Sequence, residues 1–210
     1  MDSAFDRLLE EAELPKDEGD LFVEGVSTLL VMLEQYHVRT RDHSERVAVY
    51  CVQMGCHLGL SEEDLFVLNY AALLHDIGKT LVPVDILDNE DELTRAERII
   101  IETHTAAGYG LIMEHLGYGD LAEIVRCHHE RLDGTGYASL EGEEIPFLSR
   151  IIAVADSYDA MTFNRPYRKH PFTPDKAMAE LRSSAGTRYD VSCVDALEKA
   201  LTELGLLSSG

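Results

Sequence analysis

Seven residues of this sequence form its strongest candidate for a chemical site, because all are of types that bind transition metals. They are His43, His75, Asp76, His104, His128, His129 and Asp156. First-row metals take imidazole and carboxylate where no thiolate is offered, and one Asp can bridge two ions. Seven such donors therefore predict a dinuclear metal centre, and a hydrolase is the leading interpretation.

The adjacent pair His75 and Asp76 suits a bridged centre. Neighbouring residues at a helix end point about 100° apart, so that His75 can bind one ion while Asp76 leans between two. Two ions about 3.5–4 Å apart would acidify a bridging water into hydroxide and would neutralise charge on a phosphate group. We therefore predict attack on phosphorus, with Lys79 placed to hydrogen-bond the hydroxide or a phosphate oxygen.

The densest basic cluster of the chain follows Asp156 and consists of Arg165, Arg168 and Lys169. Planar guanidinium groups match the geometry of phosphate oxygens. We interpret the cluster as a substrate clamp, with a solvated helix end as the alternative.

Helical periodicity dominates the segments that must position these donors. Apolar residues recur at spacings of three and four in residues 22–36, and again after His43 until Gly59. Capping signatures at Ser61 and Thr94 open two further helices, and the second is predicted to carry His104 in its middle. The segments 147–161, 174 onward and 191–206 are also predicted helices. The fold class is all-α, a helical bundle with the metal centre in its core.

The composition bounds the remaining possibilities. A chain of 210 residues with 45% apolar content is read as one domain at 22–207 after an N-terminal arm at 1–21. A formal charge of -21 opposes binding to polymeric nucleic acid or anionic membranes. No basic leader and no long apolar stretch is present, so the expected localisation is cytoplasmic without membrane insertion. The 4 cysteines form no CxxC pair, which predicts free thiols that are mostly buried.

Two strings resemble the signatures of the HD-GYP domain: His75-Asp76-Ile77-Gly78-Lys79 and the run from His128-His129-Glu130 to Gly136-Tyr137. The resemblance extends over residues 37 to 200, through His43-Ser44-Glu45-Arg46-Val47 and from Ala153-Val154-Ala155-Asp156 to Arg165-Pro166-Tyr167-Arg168. It implies an all-helical phosphohydrolase of the HD superfamily with an iron or manganese centre. The implied reaction is hydrolysis of the bacterial messenger cyclic di-GMP to pGpG or GMP.

The resemblance also implies roles for single residues. Lys79 would assist catalysis and contact substrate, and Arg165 and Arg168 would hold the phosphates. Asp76 would bridge the ions, of which iron is expected and manganese is the alternative. The implied metal ligands are His43, His75, Asp76, His104, His128, His129 and Asp156.

Three departures from the family pattern alter these expectations. Arg39 stands where members with a third metal carry Glu, so two ions are expected. The name-giving Gly-Tyr-Pro reads Gly136-Tyr137-Ala138, and loss of the proline predicts a looser loop. A usually basic segment reads Asn89-Glu90-Asp91-Glu92, so an access lid would be negative.

Three functional hypotheses remain at the level of sequence. The first is an active cyclic di-GMP phosphodiesterase. The second is a phosphohydrolase of the same fold that acts on another nucleotide, such as a mixed cyclic dinucleotide or a phosphomonoester. The third is a slow, metal-loaded module that docks on diguanylate cyclase (GGDEF) domains or other signalling partners. The arm, with Phe5, Leu8 and Leu9 among acids, predicts either a homodimer contact or a frayed terminus.

Overall fold

The computed structural model describes residues 16–89, 91–163 and 171–207. In these segments the chain forms ten α-helices and two short 3₁₀ helices, the latter at Ile77–Leu81 and Gly142–Glu144. The α-helices are α1 Lys16–Tyr36, α2 Val38–Leu58, α3 Glu62–Leu74, α4 Val84–Leu87, α5 Arg95–Glu102, α6 His104–Leu116, α7 Gly119–Arg126, α8 Phe147–Thr162, α9 Pro174–Ser183 and α10 Val191–Glu203.

The all-α prediction is confirmed, since the described segments contain helices and only two isolated β-bridges. Helix α1 begins at Lys16, earlier than the apolar pattern of residues 22–36 indicates. Residues 1–15, including Phe5, Leu8 and Leu9, lie outside the described part of the chain. The division into an arm and a domain therefore stays a prediction.

The predicted capping residues start their helices. The Ser61 hydroxyl accepts a hydrogen bond from the Asp64 amide at 3.1 Å, and Thr94 and Glu97 form a reciprocal capping box. The extent of the second helix was wrong, however. Helix α5 ends at Glu102, and α6 begins at His104, so His104 lies at a break between two helices and not inside one.

Helix α2 lies at the centre of the bundle, where it contacts α1, α3, α8 and α10. The apolar side chains of these helices form one buried cluster that includes Leu29, Met54, Leu68, Ile152 and Leu197. Three of the cysteines are buried as predicted, whereas Cys56 is exposed, and all four are free thiols. Among the helices of the described residues, none is both long and apolar enough to cross a membrane.

A close backbone contact joins the two segments that carry Asp76 and His104. Gly78 lies in the 3₁₀ helix Ile77–Leu81, which packs on α6. A Cβ atom at Gly78 would come within 1.9 Å of the His104 carbonyl oxygen and 2.5 Å of the Gly108 amide nitrogen. Only glycine fits there, because backbone atoms cannot move aside as a flexible side chain can.

This contact predicts that Gly78→Ala separates the two segments and lowers the free energy of unfolding by about 2–4 kcal/mol. Urea denaturation would measure the change. The matched control is Gly110→Ala in α6, where an added Cβ meets nothing within 4 Å. That variant should be neutral or slightly more stable, since Ala favours helix over Gly by about 1 kcal/mol. Equal stabilities for the two variants would contradict the prediction.

Candidate metal centre

The seven predicted donors come together from five parts of the bundle. His43 lies in α2, His75 and Asp76 follow α3, and His104 begins α6. The pair His128 and His129 follows α7, and Asp156 lies in α8. Six of these side chains form two groups of three, and within each group the ligand atoms lie within 4.8 Å of one another. The first group is His43, His75 and Asp76, and the second is His104, His128 and His129.

Two carboxylates, Asp76 of the first group and Asp156 of neither, each lie close to imidazoles of both groups. One oxygen of Asp76 is 3.4 Å from His104 Nε2, while its other oxygen is 3.5 Å from His75 Nε2. Asp156 is arranged similarly, with Oδ1 at 2.9 Å from His43 Nε2 and Oδ2 at 3.8 Å from His129 Nδ1. Each carboxylate thus presents one oxygen to each group, which is the arrangement that a bridging ligand requires.

Three of the imidazoles are held by the same backbone interaction. The Nδ1 atoms of His75, His104 and His128 hydrogen-bond the carbonyl oxygens of Ala72, Ile101 and Val125 at 2.7, 2.6 and 2.6 Å. Because a carbonyl only accepts, Nδ1 carries the proton and Nε2 keeps a free lone pair. This tautomer turns the three Nε2 atoms into donors for a metal.

His43 is held differently, by a residue that the sequence analysis missed. Its Nδ1 lies 2.6 Å from Asp159 Oδ2, and Asp159 is almost fully buried. Arg46 donates two hydrogen bonds to the same carboxylate, at 2.7 and 2.9 Å, and its guanidinium lies 3.6 Å from the ring centroid of Phe163. Asp159 therefore orients His43 in the way that carboxylates orient metal-binding histidines.

The electrostatics favour the metal-binding protonation state of the buried imidazoles. Burial lowers the pKa of His75, lowers that of His104 to about 3 and lowers that of His128 to about 4. Burial alone would raise the pKa of Asp76, but Lys79 and the surrounding imidazoles hold it well below its usual range. At neutral pH the imidazoles are thus neutral and the carboxylate is ionised, as a metal ligand must be.

His43 differs from the other imidazoles in its titration. Burial lowers its pKa, but the hydrogen bonds with Asp156 and Asp159 outweigh burial, so the pKa is raised above the usual value. Burial would raise the pKa of Asp156, but its contact with His43 and the nearby His129 and His75 hold it well below the usual range. His43 therefore lies between two carboxylates, Asp156 and Asp159, that both favour its protonated form.

The donor set passes a test of fit to metal ions. Among the described residues, His75 Nε2 and Asp76 Oδ1 are buried atoms without a hydrogen-bond partner. An unpaired buried polar atom costs free energy, so native proteins rarely leave one without a purpose. Here both atoms point into a cluster of imidazoles and carboxylates, which is the composition that iron, manganese and zinc accept.

The predicted lysine is part of this centre. Lys79 Nζ donates a hydrogen bond of 2.6 Å to Asp76 Oδ2, and the lysine side chain is mostly buried. The predicted clamp residues Arg165, Arg168 and Lys169 lie outside the described residues, so their role stays a prediction.

An open cleft of about 860 Å³ leads to His128 and His129. Its wall includes the ring of Tyr137, whose centroid lies 4.8 Å from that of His129. Two cations that the sequence analysis did not select also line it, Arg98 and Arg131, beside the acids Asp91, Glu92 and Glu102. Asp91 and Glu92 of the acidic segment are thus part of the cleft wall, and the role of this segment as an access lid stays a prediction.

The missed residues left weak signals in the sequence. Asp156 and Asp159 are three residues apart in an apolar helix, a spacing that places two carboxylates on one face. Arg46 follows His43 at the same spacing. Charged residues in helices are usually solvated, so these signals alone did not distinguish Asp159 from an ordinary surface acid.

Comparison with known proteins agrees with this geometry. A family model described as an HD domain matches residues 28–193. A 3'3'-cGAMP-specific phosphodiesterase of Vibrio cholerae is 39% identical over 196 residues, which are 92% of this chain and 42% of the relative. A cyclic di-GMP phosphodiesterase of Thermotoga maritima is 38% identical over 196 residues, 89% of this chain and 52% of the relative. The chain thus spans about half the length of these relatives.

A solved structure shares the fold at low identity. The HDG"Y"P protein Bd1817 of Bdellovibrio bacteriovorus superimposes with a TM-score of 0.67 at 15% identity, covering 94% of this chain and 68% of that one. At this identity the match supports the helical architecture alone.

The His43–Asp159 contact predicts that Asp159→Asn weakens metal binding by about 10- to 100-fold. The amide keeps the shape of the side chain but loses the charge that holds the imidazole. Competition with a chelator would measure the affinity, and thermal unfolding would check that the fold persists. The control is Asp195→Asn, an exposed acid of α10 that pairs with Arg182. Unchanged affinity in Asp159→Asn would exclude the orienting role.

Proposed function

Because this chain belongs to the HD-domain family and, within it, to the HD-GYP group, we propose that it is a metal-dependent phosphodiesterase that hydrolyses cyclic dinucleotides. The observation that carries the proposal is the convergence of seven ligand-type side chains beside an open cleft. A pocket of about 300–1,000 Å³ is typical of small-molecule sites, and the cleft volume of about 860 Å³ falls within that range.

Two groups of residues would hold two metal ions. The first comprises His43 and His75, the second comprises His104, His128 and His129, and Asp76 and Asp156 would contact both. Bound there, the ions would act as Lewis acids that activate a water molecule and neutralise charge on the phosphodiester. The count of two is supported by Arg39, whose exposed guanidinium pairs with Asp88 at 3.6 Å and offers no ligand. Iron is the proposed metal and manganese the alternative.

The chain's own residues would prepare the reaction. Lys79 Nζ holds Asp76 Oδ2 and keeps that carboxylate ionised. Its remaining ammonium protons are free to hydrogen-bond a phosphate oxygen that enters between the two groups. Lys79 is therefore proposed both to orient Asp76 and to stabilise the charge that develops on the phosphate.

The cleft offers contacts for both parts of a dinucleotide. Arg98 and Arg131 can pair with phosphate oxygens, and the Tyr137 ring is a surface on which a nucleobase can stack. Asp91 and Glu92 add negative charge to the same wall and would repel an anionic substrate. Arg165 and Arg168 remain proposed phosphate contacts by family resemblance.

Two substrates deserve a direct comparison. The family resemblance and the Thermotoga maritima relative favour cyclic di-GMP, with pGpG or GMP as product. The Vibrio cholerae relative, which covers 92% of this chain, favours 3'3'-cGAMP as a second candidate. Both are cyclic dinucleotides with two phosphodiester bonds and at least one guanine base, so the contacts described for the cleft suit either.

The partners of this chain follow less directly from its geometry. Docking on GGDEF domains and formation of a homodimer stay predictions, as does a cytoplasmic location. The chain spans about half of its relatives' length, so the activity and partners of those longer proteins come to this chain only as proposals.

Iron- or manganese-loaded protein should cleave cyclic di-GMP, 3'3'-cGAMP or both, and removal of metal should abolish the activity. Chromatographic separation of nucleotide products from a panel that also contains cyclic di-AMP would identify the substrate. A noncyclic phosphomonoester serves as the class control. Full metal occupancy without cleavage of any cyclic dinucleotide would refute the proposal and favour a binding module.

Replacement of the bridging carboxylate should affect metal retention and turnover together. We expect Asp76→Ala to lose metal and to reduce kcat by more than about 100-fold, because both groups share this ligand. Metal analysis by mass spectrometry and steady-state kinetics would test this, with Asp76→Asn as an isosteric second variant. Retention of two ions and full turnover in both variants would disprove the role of Asp76.

A further inference from the structure

The two ends of the loop that follows α7 are held together by hydrogen bonds and a β-bridge. We refer to residues 133–140 as the Tyr137 loop. The Asp133 carboxylate accepts hydrogen bonds from the Thr135 amide at 3.1 Å and from the Thr135 hydroxyl at 2.6 Å. Asp133 also forms an antiparallel bridge with Glu141. The two ends of the loop therefore lie side by side, and Tyr137 projects from its far part over His129.

A buried carboxylate lies beneath this loop. Glu130 is 4% exposed, although its type is rarely buried without partners. Its Oε1 accepts a hydrogen bond from the Ala138 amide at 2.7 Å, and its Oε2 accepts one from the Leu140 amide at 2.9 Å. A Cβ atom at Gly136 would come within 2.5 Å of Glu130 Cα, so the loop backbone rests directly on this residue.

The residue between the two donors is strained. Ser139 has φ of 57°, which makes it the one non-glycine residue with positive φ in the described part of the chain. This left-handed conformation is unfavourable for a residue with a Cβ atom. Hydrogen bonds to a charged acceptor are strong enough to offset that cost, and here they lie on both sides of Ser139.

The Ala138 bond depends on a departure from the family pattern. Proline, which stands at this position in the name-giving Gly-Tyr-Pro, has no amide hydrogen and could not donate to Glu130 Oε1. Ala138 supplies that donor. In this chain the hydrogen bond from the Ala138 amide to Glu130 restrains position 138, which in Gly-Tyr-Pro is restrained by the proline ring.

We infer that Glu130 is a positioning residue: its carboxylate fastens the Tyr137 loop through the amides of Ala138 and Leu140 and thereby places the Tyr137 ring against the substrate cleft. Only the expected effect of Glu130 on substrate binding rests on the proposed function. The fastening itself is a property of the folded chain.

Two variants of Glu130 separate charge from shape. In Glu130→Gln the carboxamide keeps one acceptor oxygen but directs an NH₂ group at the other amide, so one of the two hydrogen bonds is replaced by a donor–donor contact. In Glu130→Ala both bonds are lost. Glu143→Gln is the matched control, because Glu143 lies on the neighbouring turn and its side chain is 97% exposed.

Hydrogen exchange measured by NMR is the direct readout. We expect the Ala138 or Leu140 amide to exchange at least about 10-fold faster in Glu130→Gln, and both amides to do so in Glu130→Ala. Metal content should equal that of the unmodified protein, and the control should exchange at unmodified rates. Unchanged exchange at both amides in Glu130→Ala would overturn the inference, whether or not any cyclic dinucleotide is cleaved.

Kinetics on the cleaved cyclic dinucleotide provide a second readout. Glu130→Gln should raise KM about 5- to 10-fold with a smaller effect on kcat, because substrate contact is displaced while the metal ligands remain. Ala138→Pro should rescue this variant, since proline removes the amide that opposes the NH₂ group. We expect the KM of Glu130→Gln with Ala138→Pro to lie within about 2-fold of that of Ala138→Pro alone. Additive effects, or a loss of metal that accounts for the change, would contradict the proposal.

Discussion

The geometry of the candidate metal centre depends on one hydrogen bond that occurs three times, from an imidazole Nδ1 to the carbonyl three residues earlier. The acceptors Ala72, Ile101 and Val125 lie among the last four residues of α3, α5 and α7, where carbonyls have no regular partner within the helix. In each case the histidine lies within two residues of the helix end whose carbonyl it hydrogen-bonds. The partial negative charge at the C-terminal ends of α3 and α7 lies beside the candidate donors, which favours a cation, whereas at His104 the start of α6 opposes the end of α5.

This dependence explains what the sequence could and could not reveal. Four of the candidate donors stood out in the sequence because His75-Asp76 and His128-His129 are adjacent pairs near apolar helices, where isolated ionisable groups are costly. The break before His104 was hidden, since the apolar pattern and the cap at Thr94 indicate only where a helix starts. Which carbonyl accepts from the imidazole is decided in three dimensions.

Asp159 and Glu130 were missed for a related reason. The group that each of these carboxylates contacts cannot be recognised from the residues next to it in the sequence. The partner of Asp159 is His43, 116 positions away, and the partners of Glu130 are backbone amides, which carry no sequence signal. Supporting residues of this kind are harder to predict than ligands, because their chemistry is ordinary and only their location is special.

The donors span most of the chain, from His43 in α2 to Asp156 in α8. During synthesis on a ribosome, a nascent chain would carry His43 and His75 long before the residues that complete their surroundings emerge. The early donors would then be solvated and protonatable, with no enclosed site to select among ions. A site that contains all seven candidate donors can therefore form only after translation has passed α8.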